Sequence, residues 1–262
     1  MMLILCFIII IITSLFFIIN QKINEIAHIK ETFESDSILF LSKYDLIEIL
    51  NNDNDDYYNK FTIYDLRARN IANKNEYYKN IEKSATYMTD AEKEKIQECI
   101  QIVHNNFQNI SITGFDGNKA NSIPWKLGCI DKKLYESGLP HTRDDVIIIS
   151  KKILNDYDTM RLAQTLAHEK VHIYQKIYKD DIQEYLNENN IKLIRKRAMN
   201  DLGRANPDLD DYIYKDDKIV YSANYNTEHP KSIEDITYNP KYGQSSEHPF
   251  EKMAIEIENK IF

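Results

Sequence analysis

The chain has 262 residues, 43% of them hydrophobic, and a formal net charge of −8 at neutral pH. This length and apolar content allow one generous globular domain with its own core. The negative balance and the scattered Lys and Arg residues argue against a nucleic-acid-binding surface. Three cysteines are too few for a disulfide framework, although Cys99 and Cys129 could pair in an oxidising compartment.

The first notable segment is the uncharged run LILCFIIIIITSLFFII at residues 3–19. Its seventeen residues reach the lower limit for a helix that spans a bilayer. We therefore predict a transmembrane anchor at residues 1–20 that contacts the lipid bilayer through residues 3–19 and makes this a single-pass membrane protein. A cleaved signal peptide is the main alternative, but no basic residue precedes the run and no small-residue cleavage site follows it. A buried core helix is the remaining alternative.

The orientation of the predicted anchor rests on few charges. Lys22 and Lys30 follow it and no Lys or Arg precedes it, which favours a cytoplasmic C-terminal domain. In that case the glycosylation sequon at Asn109 stays unmodified.

A polar tether at residues 21–36 is expected to lead into one domain at residues 37–262. Within the domain, NNDNDD at residues 51–56 predicts a solvated loop, because Asn and Asp compete with regular backbone hydrogen bonding. The β-branched and aromatic run FTIYDL at residues 61–66 predicts a strand. Thr89 and Glu92 form a capping-box pattern that predicts the start of a helix.

Two further strands and a second long helix follow. WKLGCI at residues 125–130 and DVIIIS at residues 145–150 read as strands, the second one being the expected sheet edge. His141 precedes that edge and could line a cleft there, although a surface turn is the plainer interpretation. Asp158 or Thr159 can cap a helix that runs to about Tyr178.

This last helix carries the motif His168-Glu169-Lys170-Val171-His172. Positions i and i+4 lie on one helix face about 5–6 Å apart, so both imidazoles can reach one ion. Catalytic zinc typically takes three protein ligands and leaves one position for water. Glu169 lies beside the first histidine, where it can act as a general base on that water without being a ligand. The plainer alternative is a helix with two exposed histidines and a solvated glutamate.

The stretch TLAHEKVHIYQ resembles the active-site helix of zincin zinc metallopeptidases. The resemblance implies an α+β fold with a backing helix, a small sheet whose edge strand pairs with substrate, and then this helix. The predicted element order between residues 85 and 180 agrees with it. The segments GLPHT, HEKVHIYQ and HPFEKMA are also similar to metallopeptidase-like viral proteins of large double-stranded DNA viruses.

The third metal ligand has to come from later in the chain, because Gln175 and Tyr178 stand where a shorter zincin motif has glycine and histidine. Pro249 suits the first turn of a helix, and the run Pro-x-Glu-x-x-Ala is similar to the glutamate-ligand helix of gluzincins. By that resemblance Glu251 is the third ligand, although its separation from His172 is long for the group.

Several residues compete with these assignments. Glu251 could be a helix N-terminal carboxylate without a metal. His229 and His248 are rival ligands, each beside a proline. Glu256 and Glu258 are expected at other angles on the helix, where neither can replace Glu251. Tyrosines that could stabilise an oxyanion are eligible by position only: Tyr221, Tyr225 and Tyr242.

The sequence thus predicts a membrane-anchored zincin-like metallopeptidase that hydrolyses peptide bonds of a peptide or protein substrate with a zinc-activated water. Its Zn²⁺ is held by His168, His172 and Glu251, and Glu169 is the catalytic base. Two alternatives stay open. One is a catalytically silent zincin-fold protein that serves as a membrane-tethered binding or structural protein. The other is a domain stabilised by a fully coordinated zinc.

Overall fold

The computed structural model describes residues 38–108 and 110–262, and these form a mixed fold of helices and strands. The predicted α+β class is confirmed. The predicted anchor, the tether and the sequon at Asn109 lie outside the described residues. Within the part of the chain that is described, no helix is long and apolar enough to cross a membrane.

The helices of the described residues vary from six to nineteen residues in length. In chain order they are α1 (Lys43–Asn52), α2 (Ile63–Ala68), α3 (Lys74–Ser84), α4 (Asp90–Phe107), α5 (Gly117–Ser122), α6 (Lys151–Asp156), α7 (Thr159–Ile177), α8 (Lys179–Glu188) and α9 (Pro249–Ile261). Short 3₁₀ turns lie at Tyr58–Lys60, Glu136–Gly138 and Gly243–Ser246.

The main sheet has the strand order β1-β5-β7-β6, and β2 also pairs with β5. Its strands are β1 (Ile38–Phe40), β2 (Ala85–Thr86), β5 (Trp125–Ile130), β6 (His141–Arg143) and β7 (Val146–Ser150). β5 and β7 are parallel, whereas β6 pairs antiparallel with β7. Three two-stranded ribbons pair β3 (Ser111–Ile112) with β4 (Phe115–Asp116), β8 (Lys192–Lys196) with β9 (Tyr212–Lys215), and β10 (Asn224–Tyr225) with β11 (Ile236–Thr237).

The long helices agree with the prediction. Thr89 caps α4 in a reciprocal capping box with Glu92, and the apolar face of α4 is buried. Asp158 caps α7, which ends at Ile177. Helix α7 packs against both α4 and α9, so the motif helix is held between two neighbours.

Two predicted strands need correction. Residues 61–66 were expected to form a strand, but Thr62 caps α2 in a capping box with Asp65, and this local cap overrides the β-branched composition. DVIIIS was expected to be the sheet edge, yet β7 lies between β5 and β6. The edge is β6, because the turn at Asp144 and Asp145 folds the chain back and adds one more strand.

The predicted loop at residues 51–56 is shorter than expected, since α1 runs to Asn52. Asp53 then ends the helix in a left-handed conformation, and its side chain accepts a hydrogen bond from the backbone of Tyr57.

Candidate metal centre

Three predicted ligands converge at one point between α7 and α9. His168 and His172 come from α7 and Glu251 from the first turn of α9, and one ligand atom from each lies within 4.8 Å of the others. The His168 Nε2 and His172 Nε2 atoms are 3.1 Å apart. The Glu251 carboxylate oxygens lie 3.4 Å from His168 Nε2 and 3.6 Å from His172 Nε2.

These separations fit a tetrahedral ion. Ligand atoms bonded to zinc at about 2.1 Å in tetrahedral geometry lie roughly 3.4 Å from one another. The two imidazole nitrogens and the carboxylate already lie at such distances. The donor set, two neutral imidazoles and one carboxylate, is one that zinc accepts.

Both histidines turn Nε2 toward this point because Nδ1 is held by another residue. His172 Nδ1 lies 2.8 Å from Gln175 Oε1, and His168 Nδ1 lies 3.2 Å from Glu258 Oε2. Partners of this kind fix the tautomer and the ring orientation of metal-binding histidines.

The position of Glu258 differs from the prediction. Glu258 lies seven residues after Glu251, which is two helical turns, so both carboxylates lie on the same face of α9. Glu251 reaches the convergence point, whereas Glu258 contacts the outer nitrogen of His168. Glu256 does point elsewhere, because it accepts a hydrogen bond from Tyr185.

The start of α9 places Glu251. Pro249 occupies the first turn, and the His248 side chain caps the helix by accepting from the Phe250 backbone N–H. Gln175 on α7 donates to the Phe250 carbonyl at 2.9 Å and so joins the two helices that supply ligands.

The Glu251 carboxylate is buried among polar groups. It accepts hydrogen bonds from Asn206 and Gln244. Burial alone would raise the pKa of Glu251, but the hydrogen bond with His168 and the nearby charge of His172 lower it well below its usual value. Burial likewise disfavours the charged form of His168, yet Glu251 and Glu258 outweigh it and raise the His168 pKa. The two carboxylates therefore favour positive charge at this point, and a bound metal ion would take the place of the proton on His168.

Glu169 differs from the three candidate ligands because one of its carboxylate oxygens accepts no hydrogen bond from the described residues. The residue is 4% exposed, and its Oε2 has no hydrogen-bond partner among the residues that the structure describes. Burial raises the pKa of Glu169, and the negative charge of Asp208 adds to the effect. A buried oxygen without a partner costs free energy, and such groups collect at functional sites.

A cleft of about 520 Å³ opens over these residues. His168, Glu169 and Glu251 line it together with residues from four other segments. The other segments are residues 136–141, residues 204–208, residues 233–238 and Gln244. Thr165 on α7 and Ile255 and Glu258 on α9 also line the cleft. The volume is that of a small-molecule or short-peptide site.

The rival histidines lie elsewhere. His248 is the cap of α9, and its Nε2 lies 3.0 Å from Asp210. His229 lines a separate surface depression with Pro230. His141 does line the cleft as considered, but both ring nitrogens are occupied, Nδ1 by the Leu139 carbonyl and Nε2 by the Tyr135 hydroxyl.

The tyrosines eligible by position also fall outside the cleft lining. Tyr221 donates to Asp216 and Tyr225 donates to Asp65, while the Tyr242 ring lies beneath Lys241. The tyrosine that lines the cleft is Tyr238, and no local sequence signal marked it. The two buried cysteines, Cys99 and Cys129, are free thiols.

Comparisons of the chain with protein-family models, with curated proteins and with solved structures find no match. Three ligand atoms, a buried carboxylate oxygen and an open cleft meet at one place.

Proposed function

We propose that this protein is a zinc-dependent metallopeptidase. The observation that carries the proposal is the convergence of His168, His172 and Glu251 close to Glu169, whose Oε2 has no partner among the described residues. Of these residues, His168, Glu169 and Glu251 line the cleft. Two imidazoles and a carboxylate leave one tetrahedral position for a non-protein ligand, as catalytic zinc sites do. The arrangement therefore supports an enzyme over a fully coordinated structural zinc.

The metal and the protein divide the chemistry. Zinc, when bound by these three residues, would activate a water molecule and polarise the scissile carbonyl. Glu169 accepts a proton from the attacking water on Oε2 and later delivers it to the leaving amine. Both roles need a carboxylate oxygen that is not used within the protein, and Glu169 Oε2 has no partner among the described residues.

Four further side chains hold the candidate ligands in position. Gln175 and Glu258 orient the two imidazoles, and Asn206 and Gln244 hold the Glu251 carboxylate. Partners of this kind fix the orientation of metal ligands.

The finer assignment is a zincin-like, gluzincin-type domain behind a membrane anchor. Helix α4 takes the place of the backing helix, β5 to β7 supply the small sheet, and α7 carries the motif. The apolar residues 3–19 would hold this domain at a bilayer. Peptides or proteins near that membrane are the proposed substrates.

The test separates the base from the ligands. Full-length protein, purified in mild detergent and loaded with zinc, should carry one zinc per chain by elemental analysis and hydrolyse members of a fluorogenic peptide library. Glu169→Gln should keep the zinc and lower hydrolysis by roughly 10²–10⁴-fold, the usual contribution of a positioned proton acceptor. Glu184→Gln, an exposed glutamate on α8, is the matched control and should change neither quantity.

The outcomes distinguish the alternatives. No stoichiometric zinc in the wild-type protein would overturn the proposal. Stoichiometric zinc without hydrolysis of any library peptide would favour the catalytically silent binding protein. Equal hydrolysis by the wild type and Glu169→Gln would remove Glu169 from the mechanism.

A further inference from the structure

The edge strand β6 offers only one residue for pairing with another chain. In the antiparallel pair with β7, Arg143 faces Val146 across a two-residue turn, Thr142 faces Ile147, and His141 faces Ile148. The pair that closes a two-residue turn is hydrogen-bonded, and the pattern then alternates. The N–H and C=O groups of Thr142 therefore point away from the sheet, where an added strand would bind.

Both of these backbone groups already have partners within the protein. The Thr142 N–H donates to Asp208 Oδ1 at 2.6 Å, and its hydroxyl lies 2.7 Å from the same oxygen. The Thr142 carbonyl accepts from Lys176 Nζ at 3.1 Å. Thr142 itself has no exposed surface. A substrate backbone thus finds no free donor or acceptor on this strand.

The segment that covers the edge, residues 203–208, is fixed at several points. The backbone N–H of Ala205 donates to Asp65, and its carbonyl accepts from Tyr57 and Arg69. Arg204 forms a salt bridge with Glu247 at 2.7 Å. These partners are almost fully buried, so opening the segment would leave buried charges and hydrogen-bonding groups unpaired.

The same segment also forms one wall of the cleft. Five of its residues, from Arg204 to Asp208, line the cleft. Asn206 donates to the Glu251 carboxylate from this wall. The wall and the candidate ligands are therefore one structure, and the space beside β6 is closed where an extended chain would have to lie.

We infer that the site takes short peptides of roughly two to four residues, a size that a cleft of this volume can enclose, and excludes extended polypeptides. This inference rests on the proposed function. It departs from the zincin resemblance, which implies that substrate pairs with the sheet edge. In this protein the affinity for a peptide has to come from contacts with the cleft walls and with the candidate metal centre.

The first test needs no metal and no turnover. Hydrogen exchange of the full-length protein, followed by mass spectrometry with fragments that isolate Thr142, should show a strongly protected Thr142 amide. Asp208→Ala should raise the exchange rate of this amide by at least 10-fold, and Asp208→Asn, which keeps an acceptor oxygen, should restore most of the protection. Asp217→Ala, at an exposed aspartate, is the control and should leave the rate unchanged.

The second test is a ladder of peptides. Quenched fluorogenic peptides should share the same four central residues, taken from the best library substrate, and extend by zero, two, four or eight residues at each end. We expect kcat/KM to fall at least 10-fold between the tetrapeptide and the longest peptide. Binding of the same ladder to Glu169→Gln, measured by fluorescence anisotropy, should weaken in parallel.

The outcomes separate this inference from the proposed function. A kcat/KM that rises with peptide length, or a rapidly exchanging Thr142 amide in the wild type, would overturn the short-peptide inference while leaving a zinc peptidase. Failure to hydrolyse peptides of any length would count against the proposed function itself. Hydrogen exchange at Thr142 and the affinities of the peptide series for Glu169→Gln would still test whether β6 is closed to an added strand.

Discussion

Replacing Gln175 disturbs the candidate centre without changing any of the three candidate ligands. Its side chain makes two hydrogen bonds, a buried one with His172 Nδ1 at 2.8 Å and a partly buried one to the Phe250 carbonyl at 2.9 Å. Gln175→Met keeps the length and helix propensity of the side chain and removes both bonds. The variant therefore frees the His172 ring to turn and loosens the start of α9.

Gln175→Met leaves the buried His172 Nδ1 without its partner, which costs about 1–3 kcal/mol. The Phe250 carbonyl keeps its hydrogen bond within α9 and loses only the one from Gln175, worth about 0.5–1.5 kcal/mol. The free energy of unfolding should therefore fall by about 1.5–4.5 kcal/mol. In a chain of this size each kcal/mol lowers Tm by roughly 2–4 °C. Loss of a residue that orients a metal-binding histidine weakens metal affinity about 10–100-fold, which is about 1.4–2.7 kcal/mol.

Two assays measure the two effects separately. Thermal unfolding of the metal-free protein reports the packing contribution, and competition with a chromophoric chelator gives the zinc Kd. Gln183→Met on α8 is the matched control, because Gln183 is exposed and bonds only one turn along its own helix. A zinc Kd that stays unchanged in Gln175→Met would refute the idea that Gln175 holds His172 for a metal, even if Tm falls.

Three further predictions concern the ligand, the core and the anchor. Glu251→Gln should weaken zinc binding at least 100-fold by chelator competition, whereas Glu256→Gln should leave it within about 3-fold, since only a direct ligand bonds the ion. Burial opposes the ionisation of Glu136, but Arg69 outweighs it and holds the Glu136 pKa below its usual value. The pair therefore stabilises the fold above the unfolded-state pKa, and this stability is lost as pH falls below that value toward the folded-state pKa. Chemical denaturation should show a stability gap between wild type and Glu136→Gln that is constant from pH 7 to about pH 5 and shrinks toward about pH 3. A gap that stays constant down to the lowest pH would contradict this. Deletion of residues 1–20 should move the protein from the carbonate-washed membrane fraction to the supernatant, and a deletion variant that stays in the membrane would argue against the anchor.

Local signals in the sequence were sufficient to predict where the helices around the candidate metal centre begin. The capping box at Thr89, the cap at Asp158 and Pro249 at the start of α9 each lie in the hydrogen-bonding or backbone geometry that the residue type favours. Thr62 and Asp65 carry the same kind of signal, and a helix lies there although the β-branched composition predicts a strand. A cap pattern outweighed β propensity there, because Asp65 also has buried partners far away in sequence.

The candidate ligands could be named from spacing and resemblance, but their supporting residues could not. Gln175 and Glu258 take their roles from how α7 and α9 pack, which no local pattern records. Asp208 meets Thr142 across 66 residues of chain, so the closed edge of β6 depends entirely on tertiary structure. His141 lines the cleft instead of a surface turn, the plainer interpretation of its sequence, and both of its ring nitrogens are used within the protein.

We propose that His168, His172 and Glu251 together hold one zinc ion. A crystal structure of the zinc-loaded protein, with anomalous data collected at the zinc edge, would locate this ion. We expect one peak per chain bounded by His168 Nε2, His172 Nε2 and a Glu251 oxygen at about 2.0–2.2 Å, with a non-protein ligand in the fourth position. A peak held by His229 or His248 in place of Glu251, or no peak beside the motif histidines, would contradict it.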